Sequence, residues 1–161
     1  MQDETKANKR SSELFRSIWR INQSIRIFAQ RTALENDLSI PQYALLMMLA
    51  PKKEITQKEI GQIMKFPKST LSQAVDGLVQ ANLIMRHPVK DNRREMQLIL
   101  TDAGKKLYEK VKGQDGSIHQ VLEEAIDSLN DNQFEEMLAT LSQIAAFLAI
   151  KSEEQGENTT C

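Results

Sequence analysis

One short segment of the chain contains three cations and one acid but no apolar residue. Its charged members are Lys90, Asp91, Arg93 and Arg94. The residues on either side predict two β-strands, 83–89 and 95–100, because apolar and polar positions alternate along the second of them. The segment then forms the tip of a β-hairpin, outside any packed core. Cations placed in this way suit a phosphate backbone, although a solvated hairpin turn has a similar composition.

A second run of polar residues precedes the hairpin and combines short hydrogen-bonding side chains with one cation. Its members are Lys68, Ser69, Thr70, Ser72 and Gln73. Apolar residues between and after them recur at helical spacing, which predicts a helix that Pro67 opens and that exposes the polar run. Side chains of these types contact base edges and phosphates in a DNA major groove. We expect Ser69 and Gln73 to contact bases, and Lys68 and Thr70 to contact phosphates.

The elements that position these residues follow a recognisable order. A helix over residues 57–65, a two-residue turn, the polar-faced helix and the basic hairpin together predict a winged helix-turn-helix. A short strand at residues 54–56 is expected beside the wing. The fold class is therefore mainly α (α+β), with a small antiparallel β-wing and helices at both ends of the chain.

The wing contains a motif that is more specific than this order of elements. From Asp91 to Gly104 the chain follows the pattern D-x-R-x-x-x-x-x-x-L-T-x-x-G. The motif resembles the wing signature of the MarR family of bacterial transcriptional regulators, and the order of elements resembles that family over roughly residues 11–151. The resemblance implies that Arg93 and Arg94 reach the adjacent minor groove or its phosphates. It also implies that Asp91 orients a wing arginine instead of touching DNA.

Further expectations about partners follow from the resemblance. Members of the family act as two-fold dimers, so the DNA site is expected to be an inverted repeat bound by two reading helices. The resemblance favours a repressor, with possible relief by a small aromatic or hydrophobic effector. The candidate effector residues are Trp19, Tyr43, Met47 and Tyr108. The alternative is that these four are ordinary core residues.

Two apolar stripes indicate a partner without reference to any family. The stripe residues are Leu14, Ile18 and Ile21 on the first helix and Phe134, Leu138, Leu141, Ile144 and Leu148 on the last. The first helix has more apolar surface than one neighbour covers, because other large apolar side chains lie beside its stripe. Burial inside the chain's own monomer is the alternative. We expect both helices to pack against a second copy.

Charge and length support this organisation. The 161 residues have a net charge of −1, but residues 52–94 hold nine Lys or Arg and four Asp or Glu, whereas residues 95–161 hold five and thirteen. The basic region 52–94 would be attracted to a polyanion such as DNA and the acidic region 95–161 repelled by it, so the charge distribution orients the protein. We expect a helical dimerisation region at 11–36 and 102–152, a DNA-binding region at 40–101, and flexible tails at 1–10 and 153–161.

Local signals predict several helix ends and one interruption. Ser39, Thr56 and Thr101 are placed to cap the helices that follow them, and Glu59 completes a capping box with Thr56. Ser11 or Ser12 is expected to begin the first helix. Two glycines within residues 112–117 predict a kink or break, where the family usually has one long helix.

Catalytic and cofactor chemistry is disfavoured by the sequence. It lacks the spacing of a zinc site, a P-loop, a dinucleotide-binding glycine pattern or a nucleophile elbow, so neither an enzyme nor a cofactor is expected. His87 is expected to pack or touch phosphate at the wing base, with a pH switch as the alternative. Cys161 is the only cysteine. The sequence indicates neither a secretory signal nor a membrane span, so a cytoplasmic location is expected. The rival interpretation is a winged-helix module whose basic face binds an acidic protein partner.

Overall fold

The structure is a computed structural model that describes residues 2–52, 54–90 and 92–157, without the side chains of residues 2–7, 93, 156 and 157. Its elements are α1 (Gln2–Glu35), α2 (Ile40–Leu49), β1 (Ile55–Thr56), α3 (Gln57–Met64), α4 (Lys68–Gln80), β2 (Ile84–Val89), β3 (Asn92–Leu100), α5 (Asp102–Lys112), α6 (Ile118–Ile126) and α7 (Asp131–Glu157). They form two compact units, Met1–Gln120 and Val121–Cys161. The predicted mainly helical fold with a small β-wing is confirmed.

The three strands form one antiparallel sheet in the order β1-β3-β2. The pairing is regular until a shift between Pro88 and Val89, where Val89 pairs with Asn92. The prediction of a tip that extends to residue 94 is therefore wrong, because β3 already begins at Asn92. Strand pairing uses backbone hydrogen bonds and does not require apolar side chains at a solvent-exposed hairpin end. The polar residues 92–94 therefore gave no alternating pattern from which a strand could be predicted.

The core of the first unit lies between α2, α3, α4 and the sheet. The fully buried side chains there are Leu45, Leu46, Leu49, Ile60, Val75, Leu78, Ile84 and Leu98. The two helices of the helix-turn-helix approach closely at Gly61, where a Cβ atom would lie 3.2 Å from Leu71 Cδ2. The turn between them places Lys65 in the left-handed region with φ of 52°.

All three predicted caps in this unit are present. Ser39 and Gln42 form a capping box at α2, and Thr56 and Glu59 form one at α3. Thr101 Oγ1 accepts a hydrogen bond from the Gly104 N–H at 2.9 Å. Each of these bonds satisfies a backbone donor that the first turn of a helix leaves without an intrahelical partner.

The start of α5 is fixed tightly against the start of the wing. The Thr101 hydroxyl donates to the Asn82 carbonyl oxygen at 2.7 Å, and the Thr101 N–H donates to the Leu83 carbonyl oxygen at 3.1 Å. A Cβ atom on Gly104 would lie only 2.0 Å from that same Leu83 oxygen. The T-x-x-G end of the wing motif thus combines a helix cap with a close backbone approach that only glycine permits.

A similar close approach joins α2 to α4. A Cβ atom on Gly77 would lie 2.2 Å from Gln42 Nε2. The Oε1 atom of the same amide accepts the Ser39 N–H at 2.8 Å as part of the α2 capping box. The Gln42 side chain therefore caps one helix and occupies the space above a glycine of the next.

The first helix is longer than the sequence indicated. It begins at Gln2, so the predicted start at Ser11 or Ser12 is wrong, whereas the flexibility of residues 1–10 stays a prediction. Ser11 lies inside the helix and its hydroxyl donates to the Asn8 carbonyl oxygen at 2.9 Å. Because neither glycine nor proline occurs before Ser11, polarity alone did not end the helix.

The predicted interruption after α5 is present as a break. Gly116 has a φ of 71°, and Ser117 Oγ accepts the Gln120 N–H at 3.2 Å while it donates to the Lys112 carbonyl oxygen at 2.8 Å. The segment is fastened to the end of α1, where Asn36 Nδ2 donates to Gln114 Oε1 at 2.8 Å.

The second unit contains the end of α6 and the long helix α7. Asn130 Oδ1 accepts the Gln133 N–H at 3.0 Å, which confirms the predicted start of this helix at residue 130 or 131. The helix continues to Glu157, past the predicted boundary at 152. Across the described residues of both units, every helix falls short of the length and apolar character needed to cross a membrane.

Candidate nucleic-acid interface

The polar run identified in the sequence lies on the first two turns of α4. Leu71, Ala74, Val75 and Leu78 bury the opposite side of this helix. Lys68, Ser69, Ser72 and Gln73 are exposed, and Thr70 is half-buried. Pro67 occupies the N-cap position, where its side chain makes no capping bond. The structure therefore brings all five predicted residues together at one end of α4.

The wing provides the second group of predicted residues. Lys90 and Arg94 are exposed, and the Arg94 N–H donates to Asn92 Oδ1 at 3.2 Å. Asp91 lies outside the described residues, and so does the side chain of Arg93. The roles expected for Asp91 and Arg93 therefore stay predictions.

An ion pair that the sequence analysis missed connects the wing to α4. Arg86 on β2 pairs with the exposed carboxylate of Asp76 on α4. The Arg86 Nε atom is buried and has no hydrogen-bond partner among the described residues. The pair ties the orientation of the wing to that of α4. The sequence shows an isolated acid, Asp76, on α4 and an isolated cation, Arg86, in β2. It does not show that they pair, because their proximity depends on the tertiary fold.

A groove of about 520 Å³ lies between α3 and α4 and was also missed. Its lining residues are Gln57, Lys58, Gly61, Gln62, Phe66, Lys68, Leu71 and Ser72. The lining is mainly apolar, although the groove opens on the same side as Lys68 and Ser72 of the polar run. The amphipathic pattern of α3 contained no signal that distinguished this opening from an ordinary helix surface.

The four candidate effector residues lie in different surroundings within the described part of the chain. Tyr43 and Met47 pack in a small cluster with Ala33 of α1, whereas Trp19 is 55% exposed. Trp19 and Ala33 are fourteen residues apart in one helix, which corresponds to about 21 Å. The two residues therefore lie at different levels of α1, and a shared pocket stays a prediction.

Tyr108 lines a cleft of its own. The cleft has a volume of about 470 Å³, and its other lining residues are Ala50, Pro51, Lys52, Ile99, Leu100, Lys105 and Glu109. It lies where the end of α2, the end of β3 and the first turns of α5 meet. The cleft combines apolar walls, one aromatic ring, two ammonium groups and the carboxylate of Glu109.

Tyr43 has a buried hydroxyl without a hydrogen-bond partner among the described residues. Burial raises the pKa of this phenol, because the surroundings disfavour the charged form. Its ring packs beside Ala33 and Val111. The structure thus places Tyr43 in the core.

The residues predicted to contact a second copy remain uncovered or partly covered in the single chain. The exposed ones are Leu14, Ile18, Ile21, Leu138, Leu141 and Leu148, and the half-buried ones are Phe134 and Ile144. Phe15 and Trp19 stack with ring centroids 6.2 Å apart on the exposed side of α1. Phe147 and Ile150, which the predicted stripe omitted, add to the exposed apolar surface of α7.

The remaining residues with reactive side chains are dispersed. His87 is exposed on β2 opposite Gln97, and Cys161 lies outside the described residues. Within the described part of the chain, no group of three or more His, Cys, Asp or Glu side chains is arranged to hold a metal ion.

Comparison with known proteins matches this arrangement to one family. The model of the MarR family matches residues 36–95, which include α2, the helix-turn-helix and most of the wing. Over these residues the chain is similar to the MarR family. The T-x-x-G motif at Thr101 lies just beyond the matched range.

A curated relative of the chain is distant in sequence. An uncharacterized HTH-type transcriptional regulator, YybA of Bacillus subtilis, is 24% identical over 97 residues, which are 60% of this chain and 65% of that protein. The chain thus spans slightly less than two thirds of this curated relative.

Solved MarR structures share the fold over most of the chain. A putative MarR family regulator from Listeria monocytogenes, complexed with 26mer DNA, matches with a TM-score of 0.73 and 20% identity. The match covers 85% of this chain and 89% of that protein's chain. A mutant MarR from E. coli complexed with operator DNA has a TM-score of 0.61 and 21% identity, with 82% and 93% covered. These likenesses concern the MarR fold.

Proposed function

We propose that this chain is a sequence-specific DNA-binding regulator that acts as a homodimer on an inverted-repeat operator and represses transcription there. The observation that carries the proposal is the polar face of α4. It leaves Lys68, Ser69, Ser72 and Gln73 exposed beside a wing with Lys90 and Arg94. Two structures with the same fold are complexes with DNA, which supports the same use of this face here.

The assignment of roles follows from side-chain chemistry. Gln73 has a donor and an acceptor on one amide, the pattern that pairs with adenine in the major groove. Lys68, Lys90 and Arg94 each place one positive charge where it can neutralise a phosphate and release a counterion. Base contacts then supply specificity, and phosphate contacts supply affinity and register.

The first experiment is a salt-titrated binding assay with DNA from the region upstream of the chain's own gene, against a scrambled duplex of equal length. Tight binding to the native duplex with two chains per site is expected. Arg94→Ala should weaken binding to both duplexes and reduce the salt slope by about one unit, because one phosphate contact is lost. Lys110→Ala on α5 is the matched control and should leave the slope unchanged.

Other outcomes of this assay decide against the proposal. Equal, weak binding to both duplexes at low salt, together with capture of an acidic protein, would replace DNA by an acidic partner for the basic face. An unchanged slope for Arg94→Ala would remove that part of the wing from the interface.

The homodimer is supported by the exposed apolar surfaces of α1 and α7. Ile21 is 55% exposed and Leu148 is 56% exposed, and large apolar side chains in such series favour a second copy. Leu141→Glu should convert the dimer to a monomer at micromolar concentration in sedimentation experiments. Gln143→Glu adds the same charge away from the stripe of α7 and should stay dimeric. A dimeric Leu141→Glu variant would exclude Leu141 from the interface.

Relief of repression by a small aromatic or hydrophobic effector is the further part of the proposal. The cleft beside Tyr108 supports it, because Leu100 at the end of the wing lines the same cleft. A ligand there that favours one wing position shifts the population away from the DNA-competent state. Small aromatic carboxylates should release operator DNA from the native chain but not from Tyr108→Ala. Equal release from both would place the effector elsewhere.

A further inference from the structure

Asp76 lies on the exposed face of α4, in line with the residues that we expect to contact bases. Ser69, Gln73 and Asp76 are separated by four and then three positions, which places them in one row along the helix. All three residues are exposed, and the side chain of Asp76 is 64% exposed. The row therefore extends beyond the five polar residues predicted from the sequence and includes a carboxylate.

The partner of Asp76 makes a carboxylate on this face compatible with DNA. Phosphates repel a carboxylate unless a cation neutralises it. Arg86 of β2 supplies that cation, since its Nη2 atom donates to Asp76 Oδ1. Asp76 Oδ2 accepts no hydrogen bond from the residues that the structure describes. The pair thus removes much of the repulsion and leaves one acceptor oxygen of Asp76 available.

The chemistry of this acceptor favours one base. In the major groove cytosine presents a donor, its N4 amine, and no acceptor. Guanine presents two acceptors, thymine presents an acceptor and a methyl group, and adenine presents an acceptor beside its donor. A carboxylate accepts hydrogen bonds and donates none. Cytosine is therefore the base whose edge suits Asp76, whereas an edge that carries acceptors repels it.

We propose that Asp76 contacts the N4 amine of a cytosine in each half-site, and that Arg86 is the positioning residue that orients and neutralises this carboxylate. The inference rests on the proposed DNA-binding function and adds a specificity-determining residue to it. Asp76 follows Gln73 by three residues, which is about 4.5 Å along the helix, and base steps are about 3.4 Å apart. With α4 lying along the groove, the cytosine is expected one or two steps from the base that Gln73 contacts.

Modified cytosines test the contact. N4-methylcytosine keeps Watson–Crick pairing but replaces the amine hydrogen that faces the major groove by a methyl group. It is placed in turn at each cytosine of the operator, and the dissociation constant is measured for each duplex. A loss of affinity of about 5- to 50-fold is expected at one cytosine of each half-site.

Two matched variants connect this loss to Asp76. Asp76→Ala should bind the unmodified and the modified duplex with equal affinity at the sensitive position, because the acceptor is gone. Asp127→Ala removes the same group from an exposed position of the second unit and should keep the native difference. The ratio of the two dissociation constants is the readout, so a general change in affinity does not affect the comparison.

A further variant tests the role of Arg86. Arg86→Gln leaves the Asp76 carboxylate without its cation and should weaken binding to operator and random DNA alike. Adding Asp76→Ala to this variant should restore much of the affinity for random DNA, because the repelling charge is removed, but should not restore the cytosine preference. An ion pair that only held the wing in place would show no such recovery. Urea unfolding of each variant checks that it folds.

Each failure of these experiments has a separate meaning. Absence of specific binding by the native chain to the unmodified operator would overturn the proposed function itself. Specific binding without a sensitive cytosine, or with a sensitivity that survives in Asp76→Ala, would overturn the base contact alone. Equal losses of Asp76→Ala on operator and random DNA would also overturn it, and would leave Asp76 with the task of orienting the wing.

Discussion

Gly104→Ala is expected to destabilise the chain far more than a glycine-to-alanine change in a helix normally does. The added Cβ would lie 2.0 Å from the Leu83 carbonyl oxygen, whereas ordinary contacts begin at 3.4 Å, so the two groups must separate by about 1.4 Å. The obstacle is backbone, which cannot rotate away like a side chain. Separation also disturbs the bond from the Thr101 N–H to that oxygen.

Two effects destabilise the Gly104→Ala variant and one stabilises it, and together they give the expected change in the free energy of unfolding. Overpacking in a well-packed site costs about 1–3 kcal/mol. Each lost hydrogen bond of Thr101 to residues 82 and 83 costs about 1 kcal/mol. The higher helix propensity of alanine returns about 1 kcal/mol. The net expectation is a loss of about 2–4 kcal/mol in the free energy of unfolding.

Urea unfolding at one fixed protein concentration measures this change, since the proposed dimerisation would make apparent stability concentration-dependent. Gly61→Ala is the matched control. Its Cβ would lie 3.2 Å from Leu71 Cδ2, the end of a flexible side chain, so its stability should stay within about 1 kcal/mol of the native chain. A Gly104→Ala midpoint equal to the native one, with an unchanged urea slope, would refute the close-approach explanation of the T-x-x-G motif.

Three further changes test the interface, a cap and the core. Gln73→Ala should cost about 1–3 kcal/mol on the cognate duplex and much less on random DNA; equal losses would make Gln73 a backbone contact. Hydrogen bonds from Thr56 lower the pKa of the Glu59 carboxyl, so its stabilisation is present above about pH 4.3 and is lost as pH falls through the lower folded-state pKa. The stability difference between native and Glu59→Gln proteins should therefore shrink on acidification, and a constant difference would contradict the cap. Tyr43→Phe should leave unfolding stability unchanged or raise it by up to about 1 kcal/mol, whereas a clear loss would show that the hydroxyl is satisfied.

Local sequence signals were sufficient for much of the fold. The cap at Ser39, the capping box at Thr56, the cap at Thr101 and the break near Gly116 all depend on residues within a few positions of one another. The strand partners of the wing also followed from local alternation. Such features depend on the residue types at neighbouring positions, so they can be predicted from a single sequence.

Features that depend on distant residues were missed or mistaken. The pair between Asp76 and Arg86 joins two elements that are ten residues apart, and the groove beside Phe66 arises only when α3 and α4 pack. Trp19 and Tyr43 looked alike as aromatic candidates, but the length of α1 separates them. The start of α1 differs from the one predicted at Ser11 or Ser12, because the polar residues before Ser11 have adequate helix propensity.

The contact between Gln42 and Gly77 has an evolutionary consequence. Because one amide both caps α2 and fills the space above a glycine of α4, residue 77 cannot gain a side chain unless residue 42 also changes. Descendants that acquire a side chain at residue 77 need a shorter residue at 42, and Ser39 Oγ could still cap the helix because it accepts the backbone N–H of residue 42. Aligned descendants should therefore show correlated changes at these two sites, thirty-five positions apart, on a surface that touches no nucleic acid in the proposed interface.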